Sequence, residues 1–115
     1  MDPTLELVHR HIEAFNSRNV DALLADFAPS ADWITGKYTV PEGQLREFFT
    51  AAMESLTPQL VLRRAIGGED AIAVEMTETW VHEATPKSAD LVAVFDLDSG
   101  KITRARIYRE GTADP

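Results

Sequence analysis

The sequence predicts an α+β fold in which a curved antiparallel sheet carries three N-terminal helices on its concave face. Apolar residues recur at helical spacing as far as Leu56, and from Thr57 onward they alternate as in strands. Helices first and a strand meander second gather the helices on one side of the sheet. The 115 residues, 44% hydrophobic and 26% charged, fit a single globular domain, expected to span 1–115.

Each element has its own signal. Asp2 and Pro3 make a cap and first-turn pair, after which Leu5, Val8, Ile12 and Phe15 predict a helix from about residue 3 to 17. Asn16 to Asn19 break the pattern, and Val20, Leu23, Leu24 and Phe27 mark a short second helix stopped by Pro29. Ala31 to Thr35 reads as a short strand, and Gly36 to Val40 as a turn with another. Pro41 opens a third helix whose Leu45, Phe48, Phe49, Ala52, Met53 and Leu56 face a core. Strands are then expected over Gln59–Ile66, Ala71–His82, Ala89–Leu97 and Lys101–Arg109. Between them lie a turn at Gly67–Asp70, a polar loop at Glu83–Ser88 and a turn at Asp98–Gly100.

Charge narrows the partners. Nineteen acidic against eleven basic residues give a net charge of −8, which opposes binding to nucleic acid or to an anionic membrane. No cysteine is present, so disulfides and thiolate chemistry are excluded. The N-terminus lacks a basic segment followed by an apolar run, and no stretch approaches ~18 apolar residues, so a cytoplasmic protein is expected. Neither a metal nor a cofactor is expected: the potential ligands are scattered, and no glycine-rich phosphate loop or Ser-His-Asp spacing occurs.

Several segments, in order, resemble a known family. They are Ala14-Phe15-Asn16 before Val20-Asp21-Ala22-Leu23-Leu24, then Phe27-Ala28-Pro29-Ser30-Ala31-Asp32-Trp33, and Gly43 with Leu45-Arg46-Glu47-Phe48-Phe49. Phe95, Gly100-Lys101-Ile102 and Arg106-Ile107-Tyr108 complete the set. From Val8 to Glu110 the chain resembles the SnoaL-like branch of the nuclear transport factor two and ketosteroid isomerase superfamily. The resemblance implies a cystatin-like cone enclosing an internal pocket, and dimerisation through the outer face of the sheet. It implies no single function, since members include isomerases, cyclases, epoxide hydrolases and non-catalytic binders.

The resemblance can be tested against known chemistries. In the ketosteroid isomerase pattern His11 falls at the tyrosine position, Thr35 at the base and Ala93 at the late-strand acid. Threonine is no general base near neutral pH and alanine donates no hydrogen bond, so that triad is missing. In the epoxide hydrolase pattern the arginine falls on Met76 and the two acids on Glu78 and Ile107, leaving one group of the three.

Two chemistry-bearing residues remain. Strand alternation puts Glu78 with Ile72, Val74, Met76 and Trp80, the lone charge on an apolar face. Desolvation there would raise its pKa and tune it as an acid or base; the alternative is a rim position paired with an arginine. His11 lies within the apolar stripe of the first helix while His9 lies outside it, so His11 is either a proton shuttle or ligand donor, or a hydrogen-bonded structural residue. Trp33, Trp80, Met76, Ala93, Phe95 and Phe15 are the expected pocket wall. Arg63, Arg64, Arg104, Arg106 and Arg109 are expected to pair across strands with Glu75, Glu78 or Asp96.

Two readings follow. One is a binding module for a small hydrophobic molecule. The other is a cofactor-free acid–base enzyme, an isomerase, cyclase or hydrolase, in which Glu78 moves a proton and His11 orients the substrate. Either is expected as a homodimer whose outer sheet face presents Ile102, Arg106 and Tyr108 beside Val92 and Val94.

Overall fold

The computed structural model describes residues 3–55 and 58–110, so Asp2, Leu56 and Thr57 lie outside it. In chain order the elements are α1 (Pro3–Asn16), α2 (Val20–Ala25), β1 (Phe27–Thr35), β2 (Tyr38–Thr39), α3 (Leu45–Ser55), β3 (Gln59–Gly67), β4 (Ala71–His82), β5 (Thr85–Asp98) and β6 (Lys101–Arg109). The six strands form one sheet in the order β2-β1-β6-β5-β4-β3.

This architecture corrects the expected one. The sheet is mixed: β1 runs parallel to β6, with Trp33 opposite Ala105 and Thr35 opposite Ile107, while the other pairs are antiparallel. The helices are not all N-terminal, because α3 follows β1 and β2. The sheet is neither closed nor strongly curled, so it makes no cystatin-like cone. The reason is connectivity. The chain lays β1 and β2 along one edge, crosses through α3 to begin β3 at the opposite edge, and meanders back until β6 lands beside β1. Alternation in a sequence reports which side of a strand is apolar, but not which strand will lie next to it.

Local boundaries shift for similar reasons. Phe27 begins β1 instead of ending α2: the helix stops at Asp26, whose backbone N–H donates to the Leu24 carbonyl, and Phe27 pairs with Ile102. Pro29 therefore lies inside β1, where the register slips between Phe27 and Asp32 and no N–H is needed from it. The expected loop at Glu83–Ser88 contracts to a two-residue turn, Glu83 and Ala84, both at positive φ (49° and 65°). That is the geometry whose twist suits an antiparallel hairpin, and it brings Pro86 into β5 opposite Val81.

The core lies between α1 to α3 and the inner sheet face. Its most enclosed large side chains are Phe49, Phe95, Leu23, Ile102, Val8 and Val74. Ile102 thus belongs to the core and not to the outer face: the register shift between Asp96 and Leu97 sets it opposite inward-facing Leu97. Arg106 and Tyr108 do lie outside, with the guanidinium 5.6 Å from the ring centre.

One side chain ties α1 to the far edge of the sheet. Asn16 Nδ2 donates to the Leu60 carbonyl at 2.9 Å, and its Oδ1 accepts from the Leu60 N–H at 2.7 Å, so it mimics a strand neighbour. Asn16→Ala should cost about 1–2 kcal/mol, because both backbone groups lose their partner in a half-buried place. Urea unfolding at unchanged m-value would measure it; a loss within ~0.3 kcal/mol would mean that water replaces the amide freely.

Candidate functional site

The antiparallel registers, with the β1–β6 pairing, organise the inner face into rows. One row runs Ile72, Phe95, Ala105, Trp33; the next Val74, Ala93, Ile107, Thr35; the third Leu62, Met76, Leu91, Arg109; and beyond it Leu60, Glu78, Ala89. Over these rows α1 presents Leu7, Val8, His11, Ala14 and Phe15, the stripe that 3.6-residue spacing creates, and α3 presents Phe49 and Met53. Where the helices do not fill the space, a cavity of about 100 Å³ remains. Its apolar wall includes Phe15, Trp33, Phe48, Phe49, Met76, Leu91 and Ile107, and its polar residues are His11, Thr35 and Arg109.

His11 is 2% exposed. Its ring sits 5.2 Å from that of Phe95 edge-on, 6.2 Å from Trp33 in a stack and 6.0 Å from Phe27. Nδ1 is enclosed and meets no hydrogen-bond partner among the described residues. Burial away from water pushes the imidazole down to about 4, against a weaker opposing pull from Asp26, so it is neutral at physiological pH. Asp26 is itself held by Arg10, whose Nη2 and Nε donate to its two oxygens at 2.9 and 3.2 Å.

Glu78 is ion-paired with Arg109, and both side chains are largely buried, 15% and 17% exposed. The pair is diagonal: Glu78 on β4 lies one row beyond Arg109 on β6, with β5 between them. Glu78 therefore has the arginine partner of the second sequence alternative, and its charge is compensated. Arg109 lines the cavity while Glu78 does not. The Arg109 Nε is buried with no partner among the described residues.

The structure thus brings four of the nominated residues, His11, Phe15, Trp33 and Met76, to one cavity. Ala93 and Phe95 are fully buried in the sheet, Phe95 packed against the His11 ring. Trp80 lies elsewhere, beside a depression formed with Gln59, Thr79, Val81, Pro86, Lys87 and Ser88 near the β4–β5 turn. Arg109 was not nominated for the site. Its parity with Ala105 and Ile107 was a usable signal, since all three point to the inner face.

A larger concavity of about 570 Å³ opens on the outer face among Arg63, Glu75, Asp90 and Glu110. There Thr77 relays between Arg63 Nε, at 2.9 Å, and Asp90, at 2.8 Å. It is wide and charged, and Met76, Leu91 and Arg109 border it as well as the inner cavity. Among the described residues no cluster of three His, Cys, Asp or Glu could hold a metal ion, and no helix is long and apolar enough to cross a membrane.

Comparison with known proteins agrees with this geometry. The chain matches no curated protein. TerC, co-crystallised with polyporic acid, has a similar structure, with TM-score 0.82 and 20% identity over 93% of this chain and 91% of that one. An NTF2-like protein of unknown function from Burkholderia pseudomallei gives 0.82 and 18% over 94% and 91%. A protein with a ketosteroid isomerase-like fold from Catenulispora acidiphila, in complex with trimethylamine, gives 0.78 and 16% over 90% and 84%. At such identities the likeness is one of fold. The SnoaL-like domain family matches residues 8–105, from the first buried turn of α1 to the middle of β6, and the chain belongs to that family.

Proposed function

We propose that this protein is a binding module for a small, mostly apolar molecule held in the cavity beneath α1 and α3. The observation that carries the reading is the cavity itself: about 100 Å³, walled by aromatic and aliphatic side chains, with few polar groups. An apolar cavity of about 150 Å³ admits benzene, so at about 100 Å³ the expected occupant is at most one small ring, seated with slight displacement of the wall, and not a polycycle. Proteins of this fold co-crystallised with polyporic acid and with trimethylamine lend support. The acid–base enzyme reading has less support, since Glu78 is neutralised by Arg109 and stands outside the cavity lining.

Nitrogen-15 NMR with millimolar ethylbenzene should move the amides of Trp33, Phe49 and Ala52, all at the cavity wall. Ala52→Phe should fill the space and suppress those shifts. Shifts confined to the outer concavity, or equal binding by the filled variant, would place the ligand elsewhere. Steady release of product from a candidate substrate, abolished by Glu78→Gln, would favour the enzyme.

A further inference from the structure

We propose that the ligand of this cavity is a single ring with polar groups at opposite ends, a hydroxyl toward His11 and a neutral hydrogen-bond acceptor, such as a carbonyl, toward Arg109. This deepens the binding reading above and rests on it.

The His11 ring packs on Phe95 and Trp33, which share the row through Ala105. Arg109 stands four residues further along β6, about 13 Å at the usual rise of a strand. The row between them holds Ile107 and Thr35, while Met76 and Leu91 share the row of Arg109, so the lining is apolar apart from the Thr35 hydroxyl. The cavity is therefore a short, mostly apolar slot with His11 toward one end, Arg109 toward the other and Thr35 between them.

Chemistry then distinguishes the ends. The His11 Nδ1 is buried with no hydrogen-bond partner among the described residues, although buried polar groups are almost always partnered. A neutral imidazole offers one donor and one acceptor, and a hydroxyl can meet either. The Arg109 guanidinium offers donors only. Its one hydrogen bond goes through Nη2 to Glu78, and its Nε has no partner among the described residues. Because Glu78 cancels the charge, that end calls for an acceptor and has no net positive charge to attract an anion. The slot thus has a side chain with unmatched hydrogen-bonding capacity toward each end.

Isothermal titration at about pH 6.5 with four neutral probes separates the possibilities: ethylbenzene, 4-ethylphenol, acetophenone and 4-hydroxyacetophenone. Each polar group should tighten binding about tenfold, so 4-hydroxyacetophenone should bind roughly a hundredfold more tightly than ethylbenzene. In His11→Leu the hydroxyl advantage should vanish and the carbonyl advantage remain. Affinities within about threefold across the set would overturn the two-ended ligand while leaving the binding module intact. A hydroxyl advantage that survives His11→Leu would overturn the assignment of that end. Failure of all four to bind would sink both. Should the leucine variant not fold, nuclear Overhauser contacts of 4-hydroxyacetophenone in the native protein decide the same point. The ring protons beside the hydroxyl must lie near Phe95 and the ketone methyl near Met76 or Leu91, and the reverse orientation overturns the proposal.

Discussion

Replacing Arg109 by methionine should destabilise the fold by roughly 3 kcal/mol at neutral pH, because the Glu78 carboxylate would be left largely buried without a counter-charge. The methionine fills most of the volume, so the loss would report charge rather than packing. Replacing both residues by methionine should recover most of the stability, since no charge is then stranded between β4 and β6. Urea unfolding of the two single variants and the double variant forms a closed cycle, and the expected coupling is about 2–3 kcal/mol. A single variant within 1 kcal/mol of the native protein would show that water reaches Glu78 and screens it, contrary to its 15% exposure.

Acid should weaken the protein through His11. The imidazole titrates near 4 when folded and near its ordinary value of about 6.5 when unfolded, so between those values the unfolded chain binds more protons. The contribution of neutral His11 is fully present above about pH 6.5 and is lost as the pH falls toward 4. From pH 7 to 4.5 this amounts to roughly 2–3 kcal/mol. His11→Leu should remove that slope while leaving neutral-pH stability unchanged or raised, because it deletes a buried nitrogen that has no partner. His9→Leu, on the exposed side of α1, serves as the control. The comparison is of differences between variants, so the carboxylates that titrate in the same range cancel. Equal slopes in native protein and His11→Leu would mean that the pocket hydrates when acidified.

The site was legible where the pattern was local. The α1 stripe separated His11 from His9, and the parity of β4 set Glu78 and Met76 on the inner face, because side-chain direction follows from backbone period alone. The nomination of Trp80 failed to reach the cavity for a reason that parity cannot express. Trp80 shares that parity but stands near the end of β4, two rows beyond Met76, beside a depression lined by residues of β3, β4 and β5 alone.

The sequence by itself determined the α+β class, the existence and side of nearly every long element, the burial of His11 and the family to which the chain belongs. Those follow from periodicities of 3.6 and two and from ordered short segments, all of which are properties of neighbouring residues. Tertiary structure alone decided that β6 lies parallel to β1, that the sheet stays open, that Ile102 turns inward at a register shift, and that Arg109 pairs diagonally with Glu78. Each of these depends on which strand comes to rest beside which, and that choice is made by the collective packing of the helices on the sheet, a quantity that no single segment carries.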